Sequence, residues 1–97
     1  MPQQEPQQKN QIQVKFTDEV MKGVYANNVQ VMHNQEEFVM DFMNILPPNG
    51  VVNARVIVSP GHMKRLANAL TENVKKYEGQ FGAIKEAESP NEIGFKA

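Results

Sequence analysis

The 97-residue chain has no cysteine, which excludes disulfides, thiolate nucleophiles, Cys-based zinc sites and iron–sulfur clusters. It has only two histidines, too few for a His-rich metal site. A dominant charge is also lacking: ten Lys plus Arg face eleven Asp plus Glu, a formal net of −1. That is not the basic excess typical of proteins built to attract nucleic acid. No apolar run approaches the roughly 18 residues needed to span a bilayer. Residues 1–13 are Gln-rich and carry no apolar stretch of the secretory-signal type. These absences leave one small domain, expected to be soluble, cytoplasmic and non-enzymatic, with no cofactor, no metal and no membrane partner.

Residues 1–10 are polar and low in complexity, with nothing to bury that would offset the entropy of ordering them. They are expected to form a disordered lead-in. Residues 83–97 hold Ser-Pro, Asn, Gly and scattered charge and are expected to be mostly flexible tail. A single domain over residues 11–82 remains, short enough that a partner subunit is a common aid to stability.

Within it, Ile12, Val14 and Phe16 alternate with Gln13 and Lys15, the period of a half-buried strand. Polar Thr17-Asp18-Glu19 and then Gly23 mark a turn, with Val20 and Met21 on either a strand extension or a short helical turn. Val24 to His33 alternates again, and Asn34-Gln35-Glu36 is a turn. Glu37 to Leu46 fits a strand or a helix by periodicity alone. The strand is preferred because the segment is short and runs into Pro47-Pro48-Asn49-Gly50, a strong turn signal before another strand. Val51 to Ser59 is the clearest strand, alternating and rich in β-branched residues. The period then changes. Ser59 is a good N-cap with Pro60 at the first helical position. Met63, Leu66, Leu70, Val74 and Tyr77 draw one apolar stripe, widened by Ala67. Gly79 is the expected stop, giving a helix from about Pro60 to Glu78.

The expected fold is therefore α+β: an antiparallel four-stranded sheet followed by one long amphipathic C-terminal helix (β-β-β-β-α). One helix shelters one face of such a sheet. In the third strand, however, Val39, Met43 and Ile45 lie opposite Phe38, Met40 and Phe42, and each set is too apolar to face water. A homo-oligomer, in its simplest form a dimer, resolves this, with Val39, Met43 and Ile45 as candidate interface residues. Asp41 then needs a rim position or a partner.

Several segments together resemble a known family. They are Gly23-Val24-Tyr25-Ala26-Asn27 with Val29 and His33, Glu37-Phe38-Val39-Met40-Asp41-Phe42, and Arg55-Val56-Ile57-Val58-Ser59-Pro60-Gly61-His62-Met63-Lys64-Arg65-Leu66. The run continues through Ala69-Leu70-Thr71-Glu72-Asn73 and Tyr77-Glu78 to Gln80-Phe81-Gly82. The set resembles a family of small prokaryotic proteins known as domain of unknown function 3467, over about residues 12–82. The resemblance implies a compact single-domain cytoplasmic protein. It carries no catalytic residue or cofactor to this chain. Asn28, where a bulky apolar residue is more usual, and Gly61 in the first helical turn depart from the expected pattern.

No constellation for catalysis stands out. His33 precedes a turn, His62 opens the helix and Asp41 sits in an apolar strand. Three separate elements with no motif spacing are not a metal or acid–base site. Asp41 is the one carboxylate placed for burial, and a partner such as Arg55 on the neighbouring strand would make its role structural. Ser59 is explained as a cap, and the scattered glycines form no phosphate loop. The helix carries Lys64, Arg65, Lys75 and Lys76. Residues 59–78 hold four basic and two acidic side chains, whereas residues 11–58 hold three and five. This mild separation suits either a solvated helix face or contact with nucleic-acid phosphates. The methionines, Met40 among them, suit core filling or an adaptable protein-binding surface. The function expected is that of a homo-oligomeric binding or adaptor protein recognising another protein. The alternative is a small nucleic-acid-associated regulator using the basic helix face.

Overall fold

The computed structural model describes residues 11–88. The expected lead-in, and the tail from residue 89 onward with Ile93 and Phe95, lie outside the described residues. Among the described residues five elements follow one another: helix α1 (Asp18–Lys22), strands β1 (Asn28–His33), β2 (Phe38–Leu46) and β3 (Asn49–Val58), and helix α2 (Pro60–Phe81). The three strands form one antiparallel sheet in the order β1-β2-β3, and the fold is α+β.

Local chemistry accounts for the connections. Thr17 caps α1 by accepting from the Val20 amide at 3.2 Å, and Gly23, at φ 75°, ends it, a conformation that glycine adopts without steric cost. At the first hairpin the Asn34 side-chain oxygen accepts from the amides of Glu36 (2.8 Å) and Glu37 (2.9 Å). This is the Asx-turn geometry for which Asn is suited. The second hairpin closes through Pro47 and Pro48, joined by a cis peptide bond, with Leu46 opposite Asn49. Neither proline has an N–H to contribute to the ladder, so both belong in the loop. Residues Glu37 to Leu46 thus take the strand alternative.

In β3 the register slips between Ala54 and Val52, opposite Phe42 and Met43, leaving Asn53 as the extra residue of a bulge. The Asn53 amide donates to the Tyr25 carbonyl at 2.7 Å, tying the segment before β1 to the far side of the sheet. Asn27 extends the β1–β2 ladder. Its backbone N–H donates to Met43 O, its side-chain amide donates to Ile45 O (2.9 Å), and its side-chain oxygen accepts from Ile45 N (2.8 Å).

The structure corrects three expectations. The sheet has three strands rather than four: Ile12 to Phe16 has no strand pairing among the described residues. Alternation marks a segment able to pair, but a strand exists only where a neighbour supplies hydrogen bonds. The second strand is also shorter than expected, beginning at Asn28 rather than Val24. Finally, α2 runs through Gly79 to Phe81 and ends at Gly82, which has φ 97° and donates to Glu78 O. One interior glycine costs about 1 kcal/mol, too little to stop a helix whose apolar stripe continues through Phe81.

The fourth difference concerns packing. Helix α2 does not cover its own sheet. Extended contact between elements is confined to β1 with β2 and β2 with β3. Met63 and Leu66 are half-buried, but Leu70, Val74, Tyr77 and Phe81 are all exposed. Among the described residues only two apolar side chains, Met40 and Met43, are buried. The radius of gyration is 18.3 Å, against about 12–13 Å for a compact domain of this length.

Candidate functional site

The sheet register sorts side chains onto two unlike faces, because successive residues of a strand point to opposite sides. One face is built from three cross-strand rows: His33–Phe38–Val58, Val31–Met40–Val56 and Val29–Phe42–Ala54. Eight of these nine residues are apolar. Only Met40, at the centre, is buried; Val29, Val31 and Val56 are exposed. His33 stacks on Phe38 with ring centroids 5.2 Å apart, so even the polar member lays its ring on an apolar neighbour.

The opposite face is divided. Met32–Val39–Ile57 forms an apolar row and Asn28–Met43–Val52 a mixed one, and between them runs Gln30–Asp41–Arg55. Arg55 donates from Nε to Asp41 Oδ1 at 2.7 Å and from Nη2 to Asp41 Oδ2 at 2.8 Å. This two-pronged pair is the geometry for which guanidinium and carboxylate are matched. Asp41 is 4% exposed, whereas the Arg55 side chain reaches solvent. The hydrogen bonds from Arg55 hold the Asp41 carboxyl below the usual carboxylate range, with desolvation opposing and the guanidinium charge assisting. Every acceptor edge of Asp41 used here faces one cation, and the pair acts as a structural clamp between β2 and β3.

Of the candidate interface residues, Met43 is buried within its own chain at 3% exposure, and Val39 and Ile45 are half-buried. All three fall on the divided face with Asp41. Met40 is buried on the apolar face. Lys64, Arg65, Lys75 and Lys76 are exposed on α2, on the side away from the apolar stripe at about 100° per residue. The two groups of candidates are thus not brought together. Sequence reasoning missed Phe81, which extends the stripe by one turn and lies against Tyr77 (ring centroids 5.0 Å apart). Its spacing of four from Tyr77 was the available signal, hidden by reading Gly79 as a stop.

The polar chemistry of α2 is local. Ser59 accepts from the His62 amide (3.4 Å) and lies 3.0 Å from His62 Nδ1. An open hollow of about 550 Å³ is lined by His62, Arg65, Leu66, Asn68 and Ala69, all from this one helix. Among the described residues no group of three or more His, Asp or Glu is placed to hold a metal ion, and no helix is long and apolar enough to cross a membrane.

Among the described residues, a strongly apolar three-stranded sheet is joined to an amphipathic helix that leaves it uncovered. Residues 1–86 match the family described as "Protein of unknown function (DUF3467)", and the chain belongs to that family. Neither the curated proteins nor the solved structures yield a match.

Proposed function

We propose that this protein is a non-enzymatic, cytoplasmic binding protein that assembles with itself, as a dimer in the simplest case, and recognises another protein. The observation that carries the reading is the exposed apolar surface. Twenty large apolar side chains between Ile12 and Ile84 are exposed, against two that are buried. So much exposed apolar surface supports association, since a chain in water gains stability chiefly by hiding apolar area. Recognition of a further protein is supported by the outer edges of β1 and β3, which no other strand pairs among the described residues, since an open edge accepts an added strand.

Sedimentation at micromolar concentration tests the first part. A particle of at least twice 11.0 kDa is expected, and a single-chain particle refutes it. The exposed Lys64, Arg65, Lys75 and Lys76 support the second reading, contact with nucleic-acid phosphates. That reading requires binding that weakens steeply with salt, and failure to be retained on DNA or RNA at low salt eliminates it.

A further inference from the structure

We infer that the occupant of the uniformly apolar sheet face is helix α2 of a second copy of this chain, so that two chains exchange helices. This deepens the self-association reading and rests on it, by naming which surfaces meet.

Three observations select this arrangement. The first is chemical matching. The face centred on the row Val31–Met40–Val56 has no charged residue in its three rows, and the stripe from Leu66 to Phe81 has none either. The opposite face instead carries the Asp41–Arg55 pair, with Arg55 open to water. Pressing an apolar helix over that row would desolvate an ion pair, a cost the undivided face does not impose.

The second is geometry. A single residue, Ser59, joins β3 to α2, and the helix is 22 residues long, about 33 Å at 1.5 Å per residue. The ten-residue β3 spans about the same length, so the stripe is long enough to lie along a whole sheet face. In its own chain only the first turns of that stripe, at Met63 and Leu66, are half-buried, and the distal half, from Leu70 (58% exposed) to Phe81 (65%), is open. That half is what a neighbouring molecule can receive.

The third is area. Obligate homodimers hide roughly 1,000–2,500 Å² per partner, and the exposed apolar side chains Val29, Val31 and Val56 of the face and Leu70, Val74, Tyr77 and Phe81 of the stripe, each presented twice in a dimer, are surface of the kind such interfaces hide. A second copy brings exactly one helix for each open sheet, and two-fold symmetry makes the contact reciprocal: each chain's helix covers the other's sheet.

The test uses the full chain and its lack of cysteine. Asn73, which flanks the stripe, is replaced (Asn73→Cys) and spin-labelled. The labelled chain is mixed with wild-type chain carrying ¹³C-labelled methyl groups, so that every broadening seen is between chains. Sedimentation of the mixture reports its mass. The expected result is a mixed dimer in which the Val31, Met40 and Val56 methyl signals lose more than half their intensity, while Met32 and Ile57 on the other face lose less. A mixed dimer whose losses fall on Met32, Val39 and Ile57, or on no sheet residue, overturns the helix exchange and leaves self-association standing. A particle of 11.0 kDa overturns both. Should the Asn73 label disturb folding by circular dichroism, Lys75→Cys, on the outer side of the helix, gives the same readout without touching the stripe.

Discussion

Leu70→Ala separates a helix that ends in water from one that ends on a neighbour. In the single chain Leu70 is 58% exposed, and truncating a surface side chain there would change stability by no more than about 0.5 kcal/mol. If a partner sheet covers it, the exposed part becomes buried on association. Full burial of a leucine is worth about 1.5–3 kcal/mol. A little over half of that is still available at Leu70, or roughly 1–1.5 kcal/mol per chain. Two-fold symmetry applies the loss twice, so the dimer weakens by about 2–3 kcal/mol, roughly 30- to 150-fold in dissociation constant. A sedimentation dilution series on wild type and variant measures this. Lys64→Ala, on the opposite side of the same helix, is the control and should leave the constant within about 2-fold. Equal dissociation constants for Leu70→Ala and wild type, with unchanged helicity, would refute the idea that the distal stripe is covered.

Asp41→Asn should destabilise the fold by leaving Arg55 without its carboxylate partner. The pair lowers the pKa of Asp41 in the folded state, so its contribution is fully present above the unfolded value, about 3.9, and is lost as pH falls through the lower folded value. The urea midpoints of wild type and Asp41→Asn should therefore differ from pH 7 down to about 5 and converge in stronger acid; a gap that persists unchanged at low pH would assign the effect to something other than ionisation. Asn27→Ala removes both side-chain hydrogen bonds to Ile45, worth about 1–3 kcal/mol together, and should speed hydrogen exchange at the Ile45 amide; unchanged exchange there would show that the ladder ends before Asn27. Ser59→Ala should cost about 0.5–2 kcal/mol through loss of the α2 cap, read as a lower urea midpoint, whereas an unchanged midpoint would show that Pro60 alone starts the helix.

Much of the local structure was legible in the residues themselves. The one-face spacing of Met63, Leu66, Leu70, Val74 and Tyr77, opened by Ser59-Pro60, specifies a helix because a 3.6-residue period is intrinsic to the chain. The same holds for the alternation of Ala54 to Val58 and for the Pro47-Pro48 turn, although the bulge at Asn53 turns Val52, expected on the face of Ala54, to the other side. The pairing of Asp41 with Arg55 followed from an acid in an apolar strand beside a strand bearing a cation. Tertiary structure alone decided which apolar segments pair or are covered within the chain. Ile12, Val14 and Phe16 have a strand's alternation but no neighbouring edge in the chain, and pairing is a property of two segments. The α2 stripe was legible, yet periodicity cannot say whether its own sheet covers it, since burial depends on where the one-residue link at Ser59 sends the helix; in the chain Leu70, Val74, Tyr77 and Phe81 stay exposed. The division of the sheet into one undivided apolar face and one crossed by Gln30, Asp41 and Arg55 emerged only from the register. That register includes the extra residue Asn53 in β3, which no local pattern marks.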